Sequence, residues 1–428
     1  MKILFTQDAL INAGAERSHL EILSRFSSEM DVALVYFYPK HELKEAYERA
    51  GIRLFFLDIP EAYHFPLAIY RLVKLIRTEK PDLLISSLWR ADIITRIASF
   101  LTEVPLVGTL VNDSYAAIAW TDKKGLKYKV VYWLDRLTAG IPVHWIANAQ
   151  ALADSHVKTL GIKGEKISVV YRGRPIPLPP RSVPTHPSGG SPHTGNSGTL
   201  FSSQLKEESH SVAGEDTGHG QRIQNFISYG RLLERKGFQD AIKAFSQLIK
   251  KCPDCTFTIF GEGPYRTQLE SLVQNLGLQE SVFLPGKIDN PAELLLRSEF
   301  ENPKPDTCIE GSRSIQNPKS FHCFLFPSWY EGFSGALVEA MMAGIPIIAS
   351  DIPMNLEAIE DKKSGLVFPV NQVNALASQM TWAIENPELI RELGINARMI
   401  AEERFEIEKI AKRYEATLFS IVDSKTSF

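Results

Sequence analysis

The amino-acid sequence predicts an α/β protein made of two tandem doubly wound domains. Short apolar runs alternate with longer segments of helical periodicity, and this alternation occurs twice along the 428 residues. A segment rich in Pro, Gly, Ser, His and Thr separates the two sets. Alternation of strands and helices is typical of parallel sheets that are covered by helices on both faces.

The first set of elements defines a predicted domain at residues 1–174. Short runs rich in Val, Ile, Leu and Phe predict strands at 2–6, 31–37, 54–57, 82–86, 106–110 and 145–147. Apolar residues at helical spacing predict helices at 16–28, 41–50, 67–78 and 91–101. Ligands of such sheets bind beyond the carboxyl ends of the strands.

Residues 175–221 interrupt the pattern. The stretch PIPLPPRSVPTHPSGGSPHTGNSG has almost no apolar periodicity, so it cannot bury enough surface to offset its ordering entropy. We predict a disordered linker or an exposed insertion here. Residues 301–320, which are polar and contain several prolines, are interpreted as a second surface insertion.

The second set of elements defines a predicted domain at residues 222–404. Strands are predicted at 226–229, 256–260, 282–284, 323–326 and 347–349, and helices at 238–250, 265–276, 291–298, 335–343 and 371–384. The remaining residues, 405–428, are predicted to form a C-terminal helix that returns to the first domain.

Composition excludes several classes of protein. A net charge of −3 is incompatible with a general nucleic-acid coat, which needs a strong basic excess. Four cysteines cannot form a disulfide scaffold in a chain of this length, and the start MKILFTQDAL lacks the apolar core of a secretory signal. We therefore expect a cytoplasmic protein. No apolar run is long enough to predict a membrane span.

The most informative segment is PSWYEGFSGALVEAMMAGIP, at residues 327–346. It begins where a buried strand ends, passes through a glycine-rich turn and enters a helix with Ser334 as a candidate N-cap. Free amides at a helix start bind phosphate favourably. Glu331 precedes those amides and Glu339 lies about one turn inside the helix. One carboxylate could thus face a reactive group while the other binds a hydroxyl pair.

Residues 327–350 resemble the retaining glycosyltransferases of family 4, which have the GT-B architecture and carry two glutamates at this spacing. The segment GRLLERKGF, at residues 230–238, resembles a second family signature. Arg231 and Lys236 could converge on a pyrophosphate there. Gly261 and Glu262 resemble a phosphate-side turn of the family. Lys287 and Ile288 fall in a segment that resembles the one whose backbone meets the nucleotide base.

Two departures from the family pattern occur in the first domain. The loop NAGAER, at residues 12–17, resembles the GGAE loop, which lies against the transferred sugar and its phosphate, but Ala13 replaces the first glycine. Gly14 still permits close approach of a ligand. The His found in many relatives is absent, and Asn112 and Asp113 stand in its place. Asn112 could hydrogen-bond a sugar hydroxyl and Asp113 could act as a base, unless the loop is simply an Asx turn.

The resemblance implies a transferase that moves a sugar from a nucleoside diphosphate sugar to a glycan or lipid-linked acceptor in polysaccharide, lipopolysaccharide or glycolipid biosynthesis. Glu331 would hold or polarise the sugar and Glu339 would hold the ribose hydroxyls. Cationic side chains and helix amides would neutralise the leaving diphosphate, so we expect neither a metal nor a cofactor. The expected catalytic residues are Glu331, Arg231, Lys236, Asn112 and Asp113. The expected donor-binding residues are Gly14, Arg231, Lys236, Gly261, Glu262, Lys287, Ile288, Glu331, Phe333, Ser334, Gly335, Leu337 and Glu339.

Two other functions fit parts of the sequence. A nucleotide-sugar epimerase shares the two-domain architecture but lacks the segment at residues 327–346. A catalytically silent scaffold that binds nucleotide sugars is suggested by Ala13, the missing His and the two insertions. The segment from Lys123 to Leu134 mixes cations with aromatic residues, as an interfacial helix does, and predicts peripheral contact with an anionic membrane. A solvated helix with an apolar core stripe explains the same pattern.

Overall fold

The computed structural model describes residues 1–61, 64–116, 125–177, 223–288, 291–296 and 321–426. The predicted insertion at 301–320 lies outside these ranges, as does the predicted linker apart from residues 175–177. Two parallel sheets, each with helices packed against it, account for the described residues. The predicted two-domain α/β fold is confirmed.

The first sheet has seven parallel strands within the described ranges. Their bounds are β1 (Lys2–Gln7), β2 (Asp31–Tyr36), β3 (Arg53–Phe56), β4 (Leu83–Ser87), β5 (Leu106–Leu110), β6 (His144–Ala147) and β7 (Ile167–Val169). The strand order is β3-β2-β1-β4-β5-β6-β7. The sequence does not predict β7, because three residues carry too little periodicity to identify a strand.

Helices cover both faces of this sheet, since alternate side chains of its strands enter different cores. Ile3 and Phe5 belong to one apolar cluster, and Leu4 belongs to another. The helices of the first domain are α1 (Gly14–Leu23), α2 (Lys44–Arg49), α3 (Phe65–Glu79), α4 (Trp89–Thr102), α5 (Leu126–Thr138) and α6 (Gln150–Leu160).

The second sheet has six parallel strands among the described residues. They are β8 (Ile223–Tyr229), β9 (Thr256–Phe260), β10 (Val282–Gly286), β11 (Phe321–Phe326), β12 (Ile347–Ser350) and β13 (Leu366–Phe368). The order is β10-β9-β8-β11-β12-β13, so the direction of winding reverses between β8 and β11, as it does between β1 and β4. These reversals are where doubly wound sheets bind ligands.

The helices of the second half include one that crosses back to the first domain. Their bounds are α7 (Phe238–Leu248), α8 (Arg266–Asn275), α9 (Pro291–Leu296), α10 (Gly335–Ala343), α11 (Pro353–Leu356), α12 (Val373–Glu385), α13 (Pro387–Arg404) and α14 (Ile407–Thr426). Tyr414 and Leu418 of α14 are buried in the same cluster as Ile3 of β1. The predicted return of the C-terminal helix is therefore confirmed, whereas the limits of the domains stay predictions.

The two domains touch through a helix start. The backbone N–H groups of Gln150 and Ala151, at the start of α6, donate to the carboxylate of Glu357 at 2.8 and 2.6 Å. Glu357 follows α11 of the second domain, so a carboxylate from one domain binds the positive end of a helix in the other. This contact lies on the same side of the molecule as the loops that follow β5 and β11.

Candidate active site

The loop from β11 into α10 forms the centre of the candidate site. Ser334 precedes α10 in an extended conformation, with φ −80° and ψ 121°, as an N-cap residue does, but its side chain makes no capping hydrogen bond. Ser334 therefore occupies the predicted N-cap position, but the prediction that its hydroxyl caps the helix is wrong. The first amides of α10 have no partner within the helix, because a helix leaves its initial N–H groups unpaired.

Glu331 has one hydrogen-bond partner in its own loop, Ser328, and a second, Lys236, in the loop that follows β8. Its Oε1 atom accepts a charged hydrogen bond from Lys236 Nζ and a second hydrogen bond from Ser328 Oγ at 2.9 Å. The side chains of Lys236 and Glu331 are 15% and 12% exposed, so the pair is largely removed from water. Two residues that the sequence analysis predicted separately therefore form one charged unit.

Glu339, inside α10, is held by two donors. Arg174 Nε donates to its Oε1 at 2.6 Å, and the Tyr229 hydroxyl donates to its Oε2 at 2.7 Å. Burial raises the pKa of Tyr229 well above its usual value, and the carboxylate of Glu339 raises it further. Tyr229 therefore stays neutral and acts as a donor, which fixes the carboxylate of Glu339 in one orientation.

Arg174 joins the two domains at the start of α10. Its Nη1 atom pairs with Glu21 of α1 at 3.1 Å and also bonds Ser18 Oγ at 3.1 Å. Its guanidinium lies so close to Gly335 that a Cβ at that position would overlap with it. A cation at the positive end of a helix is unfavourable, and here the carboxylates of Glu21 and Glu339 offset its charge.

The loop after β5 meets the loop that carries Glu331. A Cβ on Gly332 would overlap with the carbonyl oxygen of Val111, so glycine is required for this close approach. Asn112 is exposed beside Gly332. Asp113 is buried instead, and its Oδ1 accepts a hydrogen bond from Ser155 of α6 at 2.9 Å. The structure thus brings Asn112 to the second domain and turns Asp113 toward its own domain.

Two residues of the α10 region that were expected to bind the donor are packed in the protein interior. Phe333 contacts the rings of Tyr171 and Phe405, with centroids 5.0 and 5.1 Å apart, and its N–H donates to Asn148 Oδ1 at 3.4 Å. Leu337 is 1% exposed within the second domain's core. Their side chains shape the start of α10, and only backbone atoms there remain candidates for direct contact.

The remaining donor-side residues follow the carboxyl ends of β8, β9 and β10. Arg231 is exposed just after β8. Gly261 follows β9 with φ 147°, and a Cβ there would overlap with the carbonyl of Gly230. Glu262 is exposed and pairs with Arg266 at 2.9 Å. Beyond β10, Lys287 is exposed and Ile288 packs against the core.

The first domain contributes the start of α1. Gly14 is exposed there, and Ser18 Oγ donates to its carbonyl oxygen at 2.8 Å. Burial raises the pKa of Glu16 to about 7. His19 hydrogen-bonds Gln7 Oε1 at 3.1 Å and Ser87 Oγ at 3.2 Å, and burial lowers its pKa to about 3, so it is neutral.

Sequence reasoning missed Arg172, Arg174, Tyr229 and Asn148. None falls in a motif that the sequence analysis used, and the segment from β7 to the predicted linker has no periodicity of its own. Two arginines in the run YRGR were the available signal. Among the described residues, no group of three or more His, Cys, Asp or Glu side chains is placed to hold a metal ion. No described helix has the length and apolarity needed to cross a bilayer.

Comparisons with known proteins agree with this geometry. Residues 13–176 match the family model described as Glycosyltransferase Family 4, and residues 216–300 and 316–399 match the one described as Glycosyl transferases group 1. An N-acetyl-alpha-D-glucosaminyl L-malate synthase of Bacillus anthracis is 28% identical over 47% of this chain and 46% of its own length. The chain thus matches about half of that relative.

Two broader matches cover most of the chain. The capsular polysaccharide biosynthesis glycosyltransferase CapM of Staphylococcus aureus is 22% identical over 82% of this chain and 79% of its own length. The Anabaena protein Alr3699/HepE, solved in complex with UDP-glucose, superimposes with a TM-score of 0.73 at 20% identity, covering 98% of this chain and all of that one. Because the family models match both halves, the chain belongs to the group 1 glycosyltransferases of family 4, with the GT-B fold.

Proposed function

We propose that this protein transfers a sugar from a nucleoside diphosphate sugar to a glycan or lipid-linked acceptor, with retention at the anomeric carbon. The observation that carries the proposal is the meeting of Lys236, Glu331 and the start of α10 at the boundary between the domains. Relatives named as glycosyltransferases, and a structural neighbour solved with UDP-glucose, support a nucleotide-sugar donor. We place the enzyme in the cytoplasm.

The charges of the site suit the departure of a diphosphate. Lys236 and the exposed Arg231 supply positive charge, and the backbone N–H groups of Ser334 and Gly335, which bond no group in the part of the chain that the structure describes, add the positive end of a helix. Such preorganised groups stabilise negative charge as it develops on a leaving group. Glu331 lies next to Lys236 and would contact the transferred sugar, whereas Glu339 would accept from the ribose hydroxyls.

The experiment that tests this function is a transfer assay on the purified chain. Labelled UDP-glucose, UDP-galactose, UDP-N-acetylglucosamine and GDP-mannose are each offered with polysaccharide and lipid-linked acceptors, and sugar transfer and nucleotide release are measured. We expect transfer from at least one donor. Interconversion of the donor sugar without an acceptor would indicate the epimerase instead, and tight donor binding without turnover would indicate the scaffold.

Substitutions within the charged pair link the transfer to this site. Glu331→Gln and Lys236→Met should each lower kcat by about 100-fold or more, because both change a preorganised charge beside the reacting groups. Matched controls are Glu402→Gln and Lys363→Met, whose parent residues lie in exposed pairs of the second domain. The controls should stay within about twofold of the wild type. Equal turnover by all four variants would contradict the proposed site.

Cations of the protein take the place of a divalent metal in this proposal. Transfer should therefore be unchanged by millimolar EDTA and should not increase when Mg²⁺ or Mn²⁺ is added back. Turnover measured before and after chelation checks this. Loss of transfer in EDTA, with recovery on addition of a divalent metal, would show that the diphosphate needs a metal.

Helix α5 supports the predicted peripheral contact with an anionic membrane. Leu126, Val130, Trp133 and Leu137 lie on one face of α5 at helical spacing, and each is more than half exposed. Lys129 and Arg136 lie on the same helix.

We expect the protein to sediment with phosphatidylglycerol vesicles but not with phosphatidylcholine vesicles, and we expect Trp133→Ser to weaken the binding to phosphatidylglycerol. Met399→Ser, at an exposed residue of α13, is the control. Equal sedimentation with both lipids would exclude an electrostatic contact.

A further inference from the structure

The segment that leaves β7, at residues 171–174, carries two arginines to the boundary between the domains. Its backbone is fixed, because the N–H of Arg174 donates to the carbonyl of Phe405 at 2.9 Å and the N–H of Ile407 donates to the carbonyl of Arg174 at 3.1 Å. A Cβ on Gly173 would lie 2.9 Å from the Cα of Ile407, so a larger residue would displace the segment. This packing determines where both arginine side chains project.

Arg174 holds residues of both domains together through its Nε and Nη1 atoms. It pairs with Glu21 and Glu339 and bonds Ser18 and its neighbour's carbonyl. All four hydrogen bonds come from Nε and Nη1, whereas Nη2, the nitrogen nearest Gly335, has none within the described ranges. Arg174 therefore positions Glu339, and two carboxylates offset its charge.

Arg172 has no such partners. It lines a cavity of about 30 Å³ together with Ser18, His19 and Asn148, and within the described ranges the structure gives it no hydrogen bond or ion pair. Four carboxylates of the described residues interact electrostatically with it. Glu331, Glu21 and Glu339 are each bonded to another residue. The fourth, Glu16 of α1, has a pKa that burial raises to about 7 and that Arg172 lowers in turn, so its carboxyl group neutralises Arg172 only in part at neutral pH. Burial, followed by the charge of Arg174, lowers the pKa of Arg172 to about 10, so it remains a cation at neutral pH.

Two helix starts meet at this segment. A Cβ on Gly14, the first residue of α1, would lie 3.6 Å from Arg172 Nη1, and Gly335, the first residue of α10, lies against Arg174. The positive end of α1 thus lies beside Arg172, and the positive end of α10 lies beside Arg174, the next arginine of the same segment. A ligand that bound Arg172 and the positive ends of α1 and α10 together would be a dianion with several oxygen acceptors.

We propose that Arg172 binds the diphosphate of the donor, as a cation supplied from the first-domain side of the cleft opposite Lys236. The proposal rests on the proposed function, since it concerns the same donor. Closure of the two domains would place the diphosphate between Arg172 and Lys236. The small volume beside Arg172 means that the cleft must open before the donor enters.

Binding of nucleotides by calorimetry tests this assignment. UDP, GDP and ADP are compared with uridine, guanosine and adenosine on the wild type, Arg172→Gln and Arg172→Lys, with Arg398→Gln as a control at an exposed pair of α13. We expect Arg172→Gln to weaken binding of the preferred diphosphate about ten- to hundredfold and to leave nucleoside binding unchanged. The affinity of Arg172→Lys for the diphosphate should fall between those of the wild type and Arg172→Gln, because lysine keeps the positive charge but lacks the planar guanidinium.

The outcomes separate this inference from the proposed function. Wild-type protein that binds none of the three diphosphates would overturn both. Binding of a diphosphate with equal affinity by the wild type and Arg172→Gln would overturn the role of Arg172 alone. A raised KM for the acceptor with unchanged diphosphate affinity would assign Arg172 to an anionic acceptor instead and would likewise overturn the proposal. Thermal unfolding of each variant checks that it is folded, and Arg172→Lys keeps the test usable if Arg172→Gln is not.

Discussion

At the scale of single residues, the carboxylate of Glu339 is oriented by groups that sequence motifs do not include. Tyr229 and Arg174 each bond one of its oxygens. Carboxylate oxygens have further lone pairs, so ribose hydroxyls can be accepted while both bonds persist. A family resemblance predicts Glu339 as a site residue, but the sequence does not predict these partners, because Tyr229 is 110 residues away in the chain.

Removal of the Tyr229 hydroxyl tests whether this orientation matters for the donor. Tyr229→Phe should raise the KM for the donor about three- to tenfold with a smaller change in kcat, since a hydrogen bond to a charged group is lost at the ribose side. Steady-state kinetics measure both constants. Tyr36→Phe is the matched control, because Tyr36 bonds His41 elsewhere in the first domain. A drop in kcat at constant KM would contradict a role in donor binding.

A second prediction at this scale concerns pH and stability. Asp92 is buried next to Arg96, and burial raises its pKa to about 7 from a usual value of 3.8. The folded state therefore holds this proton more tightly than the unfolded state does. The resulting contribution to stability is complete below about pH 3.8 and is lost as the pH rises through about 7.

Asp92→Asn should accordingly flatten the dependence of stability on pH between about 4 and 7. Urea unfolding of both proteins at several pH values provides the comparison. Asp154→Asn, at an exposed position of α6, serves as the control for loss of one carboxylate. A slope that is unchanged in Asp92→Asn would show that Asp92 is ionised in the folded protein.

At the scale of elements, the alternation of strands and helices was predictable and the ends of the elements were less so. Apolar runs in β1, β5 and β9 match the predicted strands because each is short, rich in Val, Ile, Leu and Phe, and largely buried. The strands β7 and β13 have three residues each and were missed. The start of α10 was predicted correctly, but the hydroxyl of Ser334 does not cap it, which leaves its amides for a ligand.

The start of α6 illustrates how one element can connect two domains. Glu357 accepts from the N–H groups of Gln150 and Ala151, so it acts as a cap from the other domain. Glu357→Ala should lower the free energy of unfolding by about 1–2 kcal/mol. Glu360→Ala, at an exposed surface pair, should change it by less than about 0.5 kcal/mol. Equal stabilities of both variants in denaturant titrations would mean that this contact contributes nothing.

At the scale of the whole molecule, contacts between domains depend on close approaches that no periodicity predicts. Gly332 touches the carbonyl of Val111 with no room for a Cβ, and Arg174 pairs with a carboxylate from each domain. The sequence predicted which loops lie at the carboxyl ends of the strands. It could not predict that Asn112 would meet Gly332, because that contact depends on how the two domains are placed relative to each other.

Gly332→Ala tests this close approach. The added methyl group should hold the loops apart, increase the radius of gyration in solution scattering and lower kcat by about tenfold or more, because closure over the donor is impaired. Gly51→Ala is unsuitable as a control because Gly51 has φ 76°, whereas Gly140 has open space around a Cβ and no positive φ. Gly140→Ala should match the wild type. Unchanged scattering and turnover in Gly332→Ala would contradict a functional role for this contact.

The central claim is retaining transfer from a nucleoside diphosphate sugar, and proton NMR of a reaction time course tests it most directly. The anomeric signal of an α-linked donor is followed together with that of the new glycosidic bond, using the acceptor that the transfer assay identifies. We predict that the donor signal is consumed and that the first product signal is α. Formation of a β-linked product, or a donor that persists with every acceptor offered, would contradict the account.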